Sequence, residues 1–254
     1  MTAHPIIVLW SHPRSMSTAI ERIMRERRDM DCAHEPFMYD YYVHRKMRVM
    51  PHFDVQDGHP TRYEDIRDML LSRAESCPVF FKDMAYYVLP QMLEDEDFLK
   101  RLTHGFLLRD PMASIASYHR LDPGVTCNEI GLDAQRWLYE GIVAATGQAP
   151  PVVSAEDVRA DPRGVMGALW WQWGLSAADH AFDWQSEVPR DWRQVEGWHG
   201  DVIQATNIRP IDEGEQQRQA AQFEAQAKAA PQLLDYLNYH IPHYHELIEK
   251  KLSC

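Results

Sequence analysis

The stretch that decides the fold is residues 5–19, PIIVLWSHPRSMSTA. Its first part, Pro5–Trp10, is a continuous apolar run of the kind that forms a strand buried on both faces of a parallel sheet. The run stops at a polar, proline-containing segment that begins at Ser11, and from Ser17 to Arg28 apolar residues recur at helical spacing. The stretch therefore predicts a strand, a short polar loop and a helix.

The same alternation of strand and helix continues as far as about residue 175. Strands are predicted at Met30–His34, Pro78–Phe81, Gly105–Leu108 and Pro151–Ser154, and helices at Tyr63–Glu75, Pro111–Leu121, Leu132–Ala145 and Pro162–Trp173. This order predicts a three-layer α/β fold in which a central, mostly parallel sheet is flanked by helices. Ligands of such sheets bind at the carboxyl ends of the strands.

The part of the chain after Gly174 has a looser pattern that is predicted to be mainly helical over about residues 176–254. It contains a Trp-rich stretch, a Gln/Ala-rich helix near Glu213–Ala229 and a tail rich in Tyr and His. No repeat and no linker divides the sequence, so residues 1–254 are expected to form a single domain.

Composition and charge indicate which binding partners and which cellular compartment to expect. The chain has 26 Lys and Arg against 38 Asp and Glu, a formal net charge of −12, which disfavours nucleic acid and anionic membranes as partners. No apolar run approaches the length of a membrane span, and the first residues do not resemble a signal peptide, so a cytoplasmic location is expected. The four cysteines lie far apart and are expected to be reduced thiols.

The loop after the first strand has the features of an anion site. In such a loop, backbone N–H groups and the positive end of the next helix point into one concavity, and a cation completes it. Arg14 is the candidate cation, and the hydroxyls and amides of Ser17 and Thr18 stand at the start of the helix. Ser11 and Met16 occupy the glycine positions of G-x-x-x-x-G-K-[ST] and Ser17 the lysine position, which disfavours hydrolysis of ATP or GTP.

Three segments in chain order resemble the family of sulfotransferases that use 3′-phosphoadenylyl sulfate (PAPS). They are SHPRSMSTA at residues 11–19, RDPMASIASY at 109–118, and VVSAEDVRADPRGVMGALWWQWGL at 152–175. They match the family's P-K/R-S-x-[ST]-T loop, its R-D/N-P-x(5)-S pattern and its strand-then-yEDL segment. Together they are far more specific than any one alone. The resemblance implies a P-loop-like fold, PAPS as cofactor with its desulfated product PAP, and no metal.

The resemblance also implies which residues bind the cofactor. Arg14 would stabilise charge on the leaving 5′-phosphate, while Arg109 and Ser117, about two helical turns apart, would hold the 3′-phosphate. The full set of expected cofactor-binding residues is His12, Pro13, Arg14, Ser15, Met16, Ser17, Thr18, Arg109 and Ser117.

The expected catalytic residues are Arg14, Glu35 and Lys82. Glu35 follows the second strand, where several sulfotransferase subfamilies place a catalytic glutamate, and it is the first candidate for the base that activates a hydroxyl. Lys82 would contact the sulfuryl oxygens, and Asp83 is a second candidate base. Aryl and steroid sulfotransferases carry a histidine two residues beyond such a lysine, and Met84 replaces it here.

The acceptor is expected to be a small molecule. The aromatic segment Pro36–Arg48, together with Tyr86 and Tyr87, is predicted to line its pocket. The basic residues of that segment are candidates for binding a carboxylate or phosphate of the acceptor, and a solvated basic patch is the alternative; they are Arg45, Lys46 and Arg48.

The Trp-rich stretch and the tail leave alternatives open. His199 and Gly200 lie where the family has a late loop over the nucleotide, and Trp192 and Trp198 would either stack on adenine or pack the core. The tail histidines 240, 243 and 245 would either bind a metal or belong to a packing helix, through which a homodimer is possible. Two other functions compete with sulfotransfer: a metal-dependent nucleotide kinase and a nucleotide-binding module without turnover.

Overall fold

The protein is described by a computed structural model over residues 4–184, 189–195, 197–198, 202 and 205–253. Five strands, all parallel, form one sheet in the order β2-β3-β1-β4-β5. They are β1 (Ile6–Ser11), β2 (Asp31–His34), β3 (Val79–Met84), β4 (Leu102–Leu108) and β5 (Val152–Ser154). The apolar run quoted first therefore forms the central strand, and all six of its residues are buried.

Helices follow every strand. They are α1 (Ser17–Glu26), α2 (Tyr63–Arg73), α3 (Ala85–Glu94), α4 (Glu96–Arg101), α5 (Pro111–Leu121), α6 (Leu132–Thr146), α7 (Ala155–Ala160), α8 (Pro162–Gln172), α9 (Glu215–Ala229) and α10 (Gln232–Ile248). Shorter helical turns occupy Tyr39–His44, Cys127–Ile130, Asp179–Phe182 and Arg190–Val195. The predicted α/β class, with a parallel sheet between two helical layers, is confirmed.

The two helical layers are set by the alternation of side chains along β1. Ile6, Val8 and Trp10 face the layer that contains α2 to α6, α9 and α10, whereas Ile7 and Leu9 face α1, α7 and α8. The helix that follows β1 and the helix that follows the neighbouring strand β4 therefore lie on opposite sides of the sheet. Such a reversal opens a crevice at the carboxyl ends of the two strands, where ligands of α/β proteins bind.

Local signals set the starts of two helices on the sheet's carboxyl side. Asp110 caps α5 by accepting a hydrogen bond from the Ala113 amide at 3.0 Å, and Asp161 caps α8 in the same way. A proline stands at the first helical position of each, where its missing N–H costs nothing. The predicted bounds of α5, Pro111–Leu121, are confirmed at both ends because these signals are local.

The predicted third strand, Pro78–Phe81, ends three residues too early, because β3 continues to Met84. The pairing of β3 with β1 continues through Trp10 with Asp83 and Ser11 with Met84. A partner strand on one side is sufficient to hold polar residues in extended conformation, and this pairing has no signature in the local sequence. As a result, Lys82 and Asp83 lie within the last three residues of a buried strand rather than in a loop.

The C-terminal helices cover the sheet from one side. Helix α9 packs on α5, and α10 packs on α5 and α6. His240 is fully buried in this packing, with its Nε2 atom 2.8 Å from the backbone oxygen of Cys127. In the part of the chain that is described, three or more His, Cys, Asp or Glu side chains nowhere meet in a group that could hold a metal ion. Within the same residues, every helix is too short or too polar to cross a membrane.

Candidate active site

The loop between β1 and α1 turns sharply through two residues with left-handed backbone. Arg14 has φ 63° and Met16 has φ 75°, a conformation that non-glycine residues adopt at a cost and that is concentrated at functional sites. The amide of Ser15 closes the turn by donating to the backbone oxygen of His12 at 3.2 Å. Helix α1 then begins directly behind the loop.

The amino-terminal end of α1 is open to a ligand. Met16 supplies no capping side chain, and the first turn contains no acidic residue that would neutralise the positive end of the helix. Ser17 and Thr18, the first two residues of the helix, line the adjoining cavity. The buried hydroxyl of Ser15 has no hydrogen-bond partner among the described residues. These features fit an anionic group with several acceptor oxygens.

Hydrogen bonds hold the side chain of Arg14, which belongs to this loop, and that of Arg109, which lies next to the loop. The Nε atom of Arg14 donates to the hydroxyl of Ser117 at 3.1 Å, and its Nη1 atom donates to the backbone oxygen of Trp198 at 2.7 Å. Arg109 donates from Nη1 to the backbone oxygen of Arg14, also at 2.7 Å. Burial lowers the pKa of the Arg109 guanidinium. The resemblance grouped Arg14, Arg109 and Ser117, and the fold brings them together.

His12 holds the loop to the end of β4. Its ring is fully buried, and burial together with the charge of Arg109 lowers its pKa to about 3, so the ring is neutral. The Nε2 atom accepts a hydrogen bond from the backbone amide of Arg109 at 3.0 Å, which places the proton on Nδ1. His12 and Ser15 do not line the cavity, whereas Pro13, Arg14, Met16, Ser17, Thr18 and Arg109 do.

A cavity of about 390 Å³ joins the loop to the carboxyl ends of β2 and β3. One end is formed by residues 13–18 with Arg109, and we call it the loop end. The other end, which we call the acceptor end, has Glu35, Lys82, Tyr86 and Tyr87. Between them the walls are mostly apolar or aromatic, and include Met50, Met84, Tyr118, Leu121, Val195 and Trp198.

Glu35 and Lys82 form a buried ion pair at the acceptor end. Their side chains are 7% and 1% exposed, and the hydroxyl of Tyr87 donates to the second carboxylate oxygen of Glu35 at 3.3 Å. Burial favours the protonated acid, but the Lys82 ammonium outweighs it and holds the pKa of Glu35 below its ordinary value. Glu35 is therefore an ionised carboxylate at neutral pH, and it faces the same cavity as Arg14.

A second buried network supports Glu35 from behind. The carboxylate of Glu21 lies 2.6 Å from Nδ1 of His34 and accepts hydrogen bonds from Trp192 Nε1 at 2.7 Å and Arg25 Nε at 2.8 Å. Burial opposes ionisation of Glu21, but His34 and Arg25 hold its pKa well below the ordinary value. The other ring nitrogen of His34 lies 3.9 Å from Glu35.

Sequence reasoning missed Glu21. Its only sequence signal is the four-residue spacing to Arg25, which on most helices marks an exposed pair.

Asp83, the second candidate base, does not face the cavity. It is fully buried, and its two carboxylate oxygens accept hydrogen bonds from the backbone amides of Phe37 and Met84, both at 2.9 Å. Burial and the charge of Glu35 raise its pKa well above the ordinary value. Asp83 does not line the cavity, so its position favours a structural role in shaping the turn that carries Glu35.

A second cavity of about 780 Å³ adjoins the first and shares Met16, Arg109 and Val202 with it. Its walls include Trp184, Glu156 and the ion pair between Arg159 and Glu215, and the indole N–H of Trp184 is buried with no partner among the described residues.

The two tryptophans considered for stacking on adenine, Trp192 and Trp198, lie in different surroundings. Trp192 is fully buried against Glu21 and lines neither cavity, which matches the alternative of core packing, and Trp198 lines the first cavity. His199 and Gly200 lie outside the described residues. Trp184, which sequence reasoning missed, is the tryptophan that lines the second cavity.

Residues of Pro36–Arg48 are not among the described residues that line either cavity, whereas Tyr86 and Tyr87 line the first. Residues of that segment form a second layer, because Tyr41 and Tyr42 pack behind the two lining tyrosines with ring centroids 5.3 and 5.5 Å from Tyr87. Sequence alone could not tell a lining aromatic residue from one packed directly behind it.

The basic residues of the same segment are engaged elsewhere. Arg45 pairs with Asp40, and Arg48 pairs with both Asp122 and Glu129. Lys46 is exposed and does not line either cavity. None of the three is therefore placed to bind an acceptor in these cavities.

The fold and the site define an α/β protein with an uncapped helix start after its first strand and a carboxylate–lysine pair at the neighbouring strand ends. A family model described as "Sulfotransferase domain" matches residues 6–208, which is most of the chain. The chain belongs to the sulfotransferase family.

Two curated proteins of Arabidopsis thaliana are similar over nearly the whole chain. Branched-chain-amino-acid aminotransferase-like protein 2 is 20% identical over 97% of the chain, and protein 1 of the same name is 21% identical over 99%. The chain spans less than half of these relatives, 44% and 45% of their lengths.

One solved structure supports the fold. The sulfotransferase domain from the Synechococcus PCC 7002 olefin synthase superposes with a TM-score of 0.52 at 16% identity, covering 89% of this chain and 96% of that domain.

Proposed function

We propose that the protein binds PAPS and transfers its sulfuryl group to the hydroxyl of a small-molecule acceptor. One observation carries the proposal: an uncapped helix start with Arg14 beside it opens into the same cavity as an ionised, buried carboxylate, Glu35. A site for an anionic donor thus faces a base for the acceptor, which is the arrangement that direct group transfer needs.

The described residues fit the cofactor. Phosphate oxygens would satisfy the amides at the start of α1, and Arg109 with Ser117 would bind the 3′-phosphate. The nucleoside would occupy the 780 Å³ cavity, because Arg109 lines both cavities. PAPS, when bound, supplies an activated sulfuryl group and a phosphate leaving group.

Arg14 and Lys82 would stabilise negative charge from opposite ends of the cavity. Arg14 lies beside the loop that would hold the leaving phosphate, where charge grows during transfer. A sulfuryl group carries less negative charge than a phosphoryl group, so we propose that these two cations act without a metal.

Glu35 would accept the proton of the acceptor hydroxyl. At rest its pKa is lowered by Lys82, which makes it a weak base. An anionic group that enters the cavity competes for the Lys82 ammonium, and partial loss of that partner raises the basicity of Glu35. The ion pair would thus strengthen the base only when the donor is in place.

The organisation of the chain is part of the proposal. We propose that residues 1–254 act as one domain in the cytoplasm, where the free thiols of Cys32, Cys77 and Cys127 would stay reduced. A homodimer through α10 is a further proposal, because Leu234 and Tyr239 on this helix are 47% and 51% exposed. Sedimentation of the wild type against Tyr239→Glu tests it, and a monomeric wild type would reject it.

Calorimetric titration tests the cofactor. PAP is titrated into protein in metal-free buffer, and ATP with Mg²⁺ is titrated in parallel. We expect micromolar binding of PAP, about −8 kcal/mol, and a much weaker response to ATP. The reverse preference would favour a nucleotide kinase. Tight binding of PAP without transfer from radiolabelled PAPS to any acceptor would favour a nucleotide-binding module.

A further inference from the structure

We propose that Arg120 binds an oxyanion of the acceptor, so that the preferred acceptor is an alcohol with an apolar or aromatic body and a carboxylate or similar anionic group. The inference rests on the proposed function, because it names the class of acceptor that the same cavity takes.

Arg120 is exposed to solvent and also forms part of the cavity wall. It is an exposed residue in the last turn of α5, and it lines the 390 Å³ cavity together with its neighbours Tyr118 and Leu121. The nearest acidic residue along the chain, Asp122, does not neutralise it because that carboxylate is bound by Arg48. Neither an ion pair nor a hydrogen bond of Arg120 occurs among the residues that the structure describes.

The other cations of the cavity already have contacts. Lys82 is paired with Glu35, Arg14 donates to Ser117 and a backbone oxygen, and Arg109 donates to a backbone oxygen. Glu35 is the one carboxylate among the described residues that line this cavity, and it is held by Lys82. The charge of Arg120 therefore has no partner in the cavity wall, and a ligand oxyanion would supply one.

The wall beside Arg120 suits an amphipathic molecule. Tyr118 packs edge-on against Trp198 with ring centroids 5.4 Å apart, and Met50 and Leu121 add apolar surface. Tyr86 and Tyr87 continue this wall to Glu35. An acceptor with its hydroxyl at Glu35 would thus run along aromatic side chains and end at Arg120, in a cavity of small-molecule size.

Three benzyl alcohols that differ only in the para group test the inference: 4-(hydroxymethyl)benzoate, 4-methylbenzyl alcohol and 4-(aminomethyl)benzyl alcohol. Their affinities for PAP-saturated protein are measured by calorimetry. We expect the carboxylate to bind about tenfold more tightly than the methyl compound, and the ammonium compound to bind most weakly. Arg120→Ala should abolish this preference, and Arg120→Glu should reverse it in favour of the ammonium compound.

Two controls separate recognition from other roles of Arg120. Arg62→Ala removes an exposed arginine that lines neither cavity and should leave the preference unchanged. A cation in the last turn of a helix also stabilises it, so the melting temperature of each variant is recorded. If Arg120 binds the oxyanion, its substitution changes the order of affinity of the three probes. If its role is purely structural, substitution changes the melting temperature alone, and this result would overturn the inference.

The outcomes distinguish this inference from the proposed function. If the wild type fails to bind PAP, the proposed function fails and the inference fails with it. If PAP binds but the three probes show equal affinity, including no binding of any, this inference alone is overturned. Loss of PAP affinity in Arg120→Ala would assign this arginine to the cofactor and would also overturn it.

Discussion

The loop end and the acceptor end of the cavity hold their charged side chains in different ways. At the loop end, Arg14 and Arg109 donate to backbone oxygens and to the Ser117 hydroxyl, and the start of α1 carries no cap. At the acceptor end, Glu35 and Lys82 bind each other. The loop end is therefore preorganised for an anion, whereas the acceptor end has to exchange partners before it can act.

The buried charges behind the two ends differ as well. The acceptor end is supported by a buried network in which the Glu21 carboxylate contacts His34 and pairs with Arg25. The loop end is supported by His12, which is neutral. Removing one member of a buried ionic network leaves an uncompensated charge, so substitutions at the two ends should fail in different ways.

The largest effect is expected from Glu35→Gln, which removes the base and keeps the shape. Turnover with PAPS and a hydroxyl acceptor should fall by about 10²- to 10⁴-fold, the usual contribution of a general base. The affinity for PAP should change little, because the proposed cofactor contacts lie at the loop end. Single-turnover kinetics and calorimetry check the two readouts, with Glu140→Gln, at a half-exposed glutamate that lines neither cavity, as an acid-to-amide control. A variant that keeps full turnover would show that another group is the base.

The next effect is on stability. Glu21→Ala leaves Arg25 and His34 without their buried carboxylate and should lower the free energy of unfolding by roughly 3–5 kcal/mol. Urea denaturation measures it. Glu96→Ala, which breaks an exposed pair with Lys100, should leave the unfolding midpoint unchanged. Equal midpoints for the two variants would contradict the view that the acceptor end depends on a buried network.

Arg109→Ala tests the role of the loop end in cofactor binding. Loss of a charge-assisted contact to the 3′-phosphate should weaken PAP binding by about 1.5–3 kcal/mol, roughly ten- to hundredfold. Glu35 and its partners should be undisturbed, so acceptor affinity should remain. Calorimetry with PAP measures the change, and adenosine 5′-phosphate, which lacks the 3′-phosphate, should bind wild type and variant alike. An unchanged PAP affinity would remove Arg109 from the cofactor site.

The last expected effect is a pH dependence of stability. Burial lowers the pKa of His12 to about 3 and that of His104 to about 4, from an ordinary value of 6.5. The unfolded chain therefore takes up protons first, so stability is complete above pH 6.5 and is lost as the pH falls toward 4. Each histidine contributes up to about 1.4 kcal/mol per pH unit. Urea denaturation between pH 7 and pH 5 gives this slope, and His12→Gln should reduce it; an unchanged slope in that variant would contradict the assignment.

Much of the fold and part of the site could be predicted from the sequence. The loop was predicted because its residues are consecutive, and Arg109 and Ser117 were paired by the resemblance to the sulfotransferase pattern. Glu35 and Lys82 were named as strand-end residues. The parallel register places His34 beside Lys82, and this brings the side chain of the next residue, Glu35, close to that of Lys82. The ion pair itself, with its effect on the pKa of Glu35, was not predicted.

The sequence by itself determined the five strands in chain order, the starts of α5 and α8 and the residues of the loop after β1; helices α3, α4 and α7 were not predicted. Hydrophobic periodicity, caps and turns are local properties that can be read a few residues at a time. The tertiary structure alone decided that Glu21 supports Glu35, that Asp83 binds backbone amides, and that Arg120 lines the cavity while Arg48 does not. These roles depend on which faces of separate elements meet across the sheet, and that information is carried by packing between residues distant along the chain.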